Sequence, residues 1–168
     1  MIHTKRLTLR PFCDADLDAL HSIFSDPRAM QYWDRPAWND PEKTKGVLAD
    51  FMRHAPQDHL ELGITLDGQL IGRAGLWRRY EIAYILHPDY WGHGYASEAV
   101  AALIGTVWTQ FPDAPALTAE IDPRNLSSAK LLGRLGFELT GVEKENFDYG
   151  GIEMTDTAYY RLKRSSDA

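Results

Sequence analysis

Cysteine is almost missing from this chain of 168 residues: Cys13 stands alone. That excludes an internal disulfide framework and any cysteine-rich zinc site. Long apolar runs are missing as well. No stretch approaches the ~20 residues that a membrane-spanning helix requires. The first residues, Met1-Ile2-His3-Thr4-Lys5-Arg6, are basic but no long apolar region follows them, so a signal peptide is not expected. There is no basic excess either, with 18 Lys and Arg against 24 Asp and Glu and a net charge of −6. This balance speaks against a nucleic-acid partner and is compatible with a cationic substrate. His21, His54 and His59 lack the mutual spacing of metal ligands, and no metal site is expected. Cys13 reads as a small packed side chain rather than an acyl-carrying nucleophile. A cytoplasmic protein that engages neither membrane nor nucleic acid fits these absences.

What is present suits one globular domain over residues 1–168. A chain of this size buries about two-thirds of its unfolded surface without disulfides or metal. No repeat, low-complexity tract or interdomain linker interrupts it.

Ile2 to Arg10 alternates as a half-buried strand ending at Pro11. Asp14 is expected to cap a helix carrying Leu17, Leu20, Ile23 and Phe24 on one face. Asp26-Pro27 breaks that helix. An aromatic loop over residues 28–39 holds Tyr32, Trp33 and Trp38. Asp40-Pro41-Glu42 starts a second helix, with cap, proline and acid in order, ending near Ala55-Pro56. Asp67-Gly68 joins two strands, Leu60 to Leu66 and Gln69 to Trp77, as a hairpin. Arg78-Arg79 turns into a further strand, Glu81 to Leu86. A helix over about 95–111 precedes a short strand from Leu117 to Ile121. Asn125 and Gly136 bracket the next helix as N-cap and C′ residue. Strands from Phe137 to Val142 and Met154 to Leu162 flank a polar loop over 143–153, and Arg164 to Ala168 should fray.

The most informative stretch lies between the Glu81 strand and the helix after it: Trp91-Gly92-His93-Gly94-Tyr95-Ala96, followed by Ser97-Glu98-Ala99. Two glycines permit positive φ or close backbone approach. A helix begins directly behind them, so unpaired N–H groups and the positive end of a helix dipole converge on one place, which attracts phosphate. A P-loop is excluded because no Gly-Lys-Ser/Thr follows. The dinucleotide fingerprint is excluded because Ser97 stands where its third glycine belongs.

The loop resembles the acyl-CoA pyrophosphate loop of the GNAT N-acetyltransferases, Gln/Arg-x-x-Gly-x-Gly/Ala. Trp91 departs from the general pattern, but Trp-Gly-x-Gly-Tyr-Ala with Glu-Ala behind it is similar to the subgroup that acetylates ribosomal-protein N-termini (RimJ/RimL-like). Asn125, Ser128, Leu132, Gly136 and Phe137 match a later family motif. The order of elements also resembles the GNAT fold. That implies a mixed α/β (α+β) architecture with a twisted, mostly antiparallel sheet of six to seven strands. About four helices would flank it, and the sheet would splay between its fourth and fifth strands.

The resemblance implies site residues by position. Backbone amides of Trp91, Gly92, His93, Gly94, Tyr95 and Ala96 would hold the pyrophosphate of acetyl-CoA. Ile85 and Leu86 would pair with its pantetheine arm, and the Leu86 amide would donate to the thioester oxygen as charge builds there. Asn125 would hydrogen-bond the pantetheine. Amine attack needs a base, for which the family uses a glutamate near Glu81 or Glu120. Either glutamate also reads as a structural residue, Glu81 paired with Arg78 or Arg79 and Glu120 solvated. Many family members protonate the leaving thiol with a tyrosine at the position of Leu132, so that acid is absent. Ser128 matches a serine that contacts the CoA sulfur in the subgroup and reads equally as a helix-start residue. Tyr32, Trp33, Phe147 and Tyr149 are candidates for the acceptor wall. The implied activity is acetyl transfer from acetyl-CoA to a primary amine, with a protein N-terminus as a candidate acceptor, by a monomer or homodimer without metal. Alternatives are acetylation of a small amine or antibiotic, or an acyl-CoA-binding module without turnover.

Overall fold

The computed structural model describes residues 1–53 and 59–165. Eight strands form one sheet in the order β1-β2-β3-β4-β5-β6-β8-β7. They are β1 (Ile2–His3), β2 (Leu7–Arg10), β3 (Leu60–Leu66), β4 (Gln69–Arg78), β5 (Glu81–Leu86), β6 (Ala116–Ile121), β7 (Glu138–Tyr149) and β8 (Glu153–Lys163). The helices are α1 (Leu17–Phe24), α2 (Pro27–Met30), α3 (Pro41–Met52), α4 (Tyr95–Gln110) and α5 (Leu126–Arg134). All strand pairs are antiparallel except β5 with β6.

The sheet has one strand more than expected, because the first strand is in fact two. β1 folds back on β2, pairing Ile2 with Leu9. The turn between them is held by Thr4, whose side-chain oxygen accepts the Leu7 amide (3.0 Å). Counted along this chain, the splay therefore falls between β5 and β6. These two share a single register pair, Glu81 with Thr118, and a bond from the Thr118 amide to the Tyr80 carbonyl (2.8 Å). Beyond it they diverge, leaving a gap toward Leu86.

Strand alternation sends the side chains of β5 to two cores. Ile82 and Leu86 join a cluster with Ala99, Val100, Leu103 and Val107 of α4 and with Leu131 and Leu132 of α5. Ile85 joins Leu20, Ile23, Phe24 and Met30 on the opposite face, against α1–α3.

Several expectations need correction. Asp14 does not cap α1; it lies in a 3₁₀ turn (Asp14–Asp16), and Asp16 accepts the Cys13 amide (2.9 Å) while pairing with Arg10 (2.8 Å). Cys13 is exposed rather than packed. Within the aromatic loop, Asp26 caps the short α2. The polar loop over 143–153 is mostly strand: β7 runs on to Tyr149, absorbing a bulge near Glu145 (φ +46°), and only a tight turn at Gly150–Ile152 remains. Arg164 does not fray; it donates to the carbonyls of Ala114 (2.9 Å) and Phe111 (2.8 Å) and stacks on Trp108. His54, Ala55, Pro56 and residues 166–168 lie outside the described residues.

Candidate active site

The loop after β5 is pinned from several directions. His87 accepts the Asp89 amide on Nδ1 and contacts Ser22 Oγ through Nε2 (3.0 Å). The Trp91 indole donates to the Leu86 carbonyl (3.0 Å). Gly92 and Gly94 both adopt left-handed φ, +80° and +79°, and Gly94 is the N-cap of α4. A non-glycine residue would be strained there. From the turn after β1, Arg6 donates to the His93 carbonyl (2.8 Å) and lies over the Tyr95 ring. Glu98 on α4 anchors that contact, accepting from the Thr4 hydroxyl (2.6 Å), the Arg6 amide (2.8 Å) and Arg6 Nε (2.7 Å). Burial pushes the Glu98 carboxyl up, but these donors outweigh it and hold it below its usual range. The first intrahelical bond of α4 runs from the Glu98 amide to the Gly94 carbonyl, so the amides of Tyr95, Ala96 and Ser97 lie N-terminal to the ladder. With open space around Gly92, the loop presents the donor set that a pyrophosphate requires. The His93 side chain faces outward.

Register decides which backbone groups of β5 face the gap. His87 donates to the Ile71 carbonyl (2.8 Å), and Ile85 opposes Arg73 on β4. In an antiparallel ladder, bonded and non-bonded pairs alternate. The Ile85 amide and carbonyl are therefore committed to β4, while those of Leu86 point away from it. Of the two residues expected to pair with pantetheine, only Leu86 turns its backbone to the gap, and its carbonyl is already taken by Trp91. Asn125 spends its side-chain oxygen on the Ser128 amide (3.2 Å) as cap of α5, which leaves its Nδ2 for a ligand. Leu132 is fully buried in the core.

On the α1–α3 face a cavity of about 1020 Å³ is lined by Tyr32, Trp33, Phe147 and Tyr149 together with Glu81 and Glu120. Its roof is made where the β7–β8 tip meets the aromatic loop. Tyr149 donates its hydroxyl to the Met30 carbonyl (2.5 Å), and a Cβ on Gly150 would come within 2.5 Å of Pro36. A second buried pair, Arg73 with Glu61, supports the floor between β3 and β4. Ser128 and Asn125 are not among the residues lining this cavity.

Glu81 and Glu120 meet at the base of the gap. Glu81 is only 4% exposed and pairs with Arg78, whose Nη2 also reaches Glu120 Oε2 (3.1 Å). Burial raises the Glu120 carboxyl, and a hydrogen bond and negative charge from Glu81 raise it further, against the pull of Arg78. Two carboxylates on one guanidinium leave one of them prone to hold a proton. The pairing of Glu81 with Arg78 expected from sequence is present, and Glu81 also lines the cavity.

Residues 6–138 match the family model for the acetyltransferase (GNAT) domain. The chain belongs to the GNAT acetyltransferase family. An uncharacterised N-acetyltransferase, p20 of Bacillus licheniformis, is 29% identical over 153 residues, covering 86% of this chain and 85% of that protein. Among solved structures, spermidine N-acetyltransferase from Vibrio cholerae, in complex with CoA and spermine, has a TM-score of 0.80 at 18% identity, covering 95% of this chain and 96% of that one. The acetyltransferase that modifies the N-terminal serine of ribosomal protein L7/L12 in Salmonella typhimurium has a TM-score of 0.80 at 20% identity, covering 96% and 97%. At those identities the two structures establish a shared fold. No helix of this GNAT acetyltransferase, among its described residues, is long and apolar enough to cross a membrane.

Two residues of this candidate site carry no signal in the sequence pattern. Arg6 clamps the loop from 87 positions away in sequence, and nothing in its local pattern marks it. Arg78 reads from sequence as a turn partner for Glu81, and its reach to Glu120 on β6 depends on the sheet.

Proposed function

We propose that this single domain, residues 1–168, transfers an acetyl group from acetyl-CoA to a primary amine by direct attack in a ternary complex. The observation that carries this reading is the placement of Glu120. It stands at the base of the gap between β5 and β6, on the wall of the cavity, with its carboxyl raised above its ordinary value. A raised carboxylate is a better proton acceptor near neutral pH than a solvated one. Glu120 takes the proton from the incoming ammonium directly or through one water, and Glu81 and Arg78 set its charge state.

The glycine loop and the start of α4 bind the pyrophosphate through backbone amides, and Asn125 Nδ2 orients the pantetheine. When bound, acetyl-CoA supplies an activated acetyl group and a thiol as leaving group. The Leu86 amide, turned into the gap, faces the charge that builds on the acetyl oxygen. Tyr32, Trp33, Phe147 and Tyr149 exclude water around the amine.

For the acceptor we favour a protein N-terminus. The resemblance of the loop to the ribosomal-protein subgroup supports this. Thiol release from acetyl-CoA, followed with peptides bearing free N-termini beside polyamines and amino sugars, tests the proposal. Turnover restricted to peptides supports it. Turnover restricted to small amines moves the acceptor assignment to that class. CoA binding without turnover on any amine replaces the enzyme reading with an acyl-CoA-binding module.

A further inference from the structure

Arg73 is only 3% exposed, yet it lines the cavity. On β4 it stands opposite Ile85 of β5, and so on the same face of the sheet as Glu81. Nε donates to Glu61 Oε2 (2.7 Å), and Nη2 donates to Glu61 Oε1. The guanidinium carbon lies 5.2 Å from the centre of the Phe51 ring and 6.0 Å from that of Trp33. With both bonds to Glu61 made, Nη1 has no partner among the described residues. The side-chain polar atoms that are sealed without a partner there belong to Arg35 and Tyr84. Nη1 of Arg73 is therefore open to the cavity that the residue lines. Next along this face Gly75 stands opposite Ala83, so the floor midway between Arg73 and Glu81 carries no large side chain.

We infer that Arg73 selects the acceptor: through Nη1 it donates to an amide carbonyl close to the amine, as a peptide with a free N-terminus provides. This rests on the acetyl-transfer reading and adds to it the group that is recognised. Ile85, level with Arg73, is four residues along β5 from Glu81, about 13 Å at the rise of an extended strand. Shortened by the two side chains, that span suits the first two or three residues of a peptide whose amine is at the glutamates. Glu61 cancels the charge of Arg73, so the site offers a donor without net charge. A neutral carbonyl satisfies such a donor, whereas a carboxylate would have to lie beside Glu61. An alkyl polyamine brings no acceptor, and a polar group left desolvated and unpaired is costly. A buried ion pair adds little stability over apolar residues of like volume, so recognition accounts for this pair better than stability does.

The test is the change in kcat/KM that each variant causes with alanylalaninamide, free alanine and hexylamine, at saturating acetyl-CoA. Each comparison of variant with wild type concerns one acceptor, so differences in amine reactivity cancel. Arg73→Met combined with Glu61→Leu removes both charges and strands neither. It should lower kcat/KM for alanylalaninamide about tenfold or more, through KM, the loss expected for a hydrogen bond from a charged donor. Hexylamine turnover and acetyl-CoA affinity should stay within about twofold, which separates recognition from misfolding. Glu61→Gln keeps Nη1 but leaves the site positive, and should improve free alanine several-fold relative to the peptide amide. Equal losses for alanylalaninamide and hexylamine, or no loss for either, would overturn the assignment and leave acetyl transfer standing. A loss largest for free alanine would overturn it in favour of a carboxylate-bearing acceptor. Wild type that binds acetyl-CoA but turns over none of the three amines would remove the acetyl-transfer reading and this inference together.

Discussion

Glu120 on β6 and Glu81 on β5 reach the same Arg78 guanidinium from the two strands that part to form the gap. The pairing ties the proposed base to the place where those strands are in register, at Glu81 and Thr118. A carboxylate there is fixed by the sheet rather than by a loop, which is what a positioned base requires.

The rate should therefore follow the ionisation of Glu120. Its carboxyl is raised first by burial and then by Glu81, so the base is protonated, and kcat/KM low, below a pH that lies above the ordinary glutamate range. Glu120→Gln should lower kcat by about 10²-fold or more and abolish that acid limb. Acetyl-CoA affinity should not change. The sign for stability is the reverse of the usual carboxylate case: the folded state holds the proton more tightly, so this group's contribution is lost as pH rises through its folded pKa. A pH–rate profile with parallel thermal melts checks both.

Glu98 behaves in the opposite sense. Its carboxyl is held low in the folded state, so its contribution is present above the ordinary glutamate range and disappears as pH falls through the folded pKa. Glu98→Gln weakens the clamp from Thr4 and Arg6 and should cost about 1–3 kcal/mol. That corresponds to a fall in Tm of roughly 3–10 °C for a chain of this size. Melts at neutral and acid pH should show the gap between wild type and variant narrowing on acidification.

Tyr149 ties the β7–β8 tip to Met30. Tyr149→Phe should loosen the cavity roof and raise KM for the amine acceptor several-fold, about 1 kcal/mol for one lost hydrogen bond. KM for acetyl-CoA should be unaffected, which steady-state kinetics with each substrate varied in turn will show.

The order of elements and the loop glycines were legible in the sequence because both are local signals. Proline and glycine mark turns whatever surrounds them, and α4 follows its apolar spacing. Contacts between distant segments were not legible. The β1–β2 hairpin hides inside one alternating run, because a strand that turns back keeps the same period. Arg6 and Arg78 acquire their contacts only from what the sheet brings beside them. The length of β7 was missed because its residues are mostly exposed and polar, and only pairing with β8 makes them a strand.

The most direct measurement is isothermal titration of acetyl-CoA into the wild-type chain and into Gly94→Trp. A tryptophan at a position with φ +79° both strains the turn and fills the space before α4, and Arg6 stands 3.5 Å from the first added carbon. Saturable binding to wild type, at least about tenfold weaker in a Gly94→Trp protein whose circular dichroism is unchanged, is the expected result. Equal affinity in the two proteins, or no binding to wild type, would contradict the assignment of this loop to acetyl-CoA.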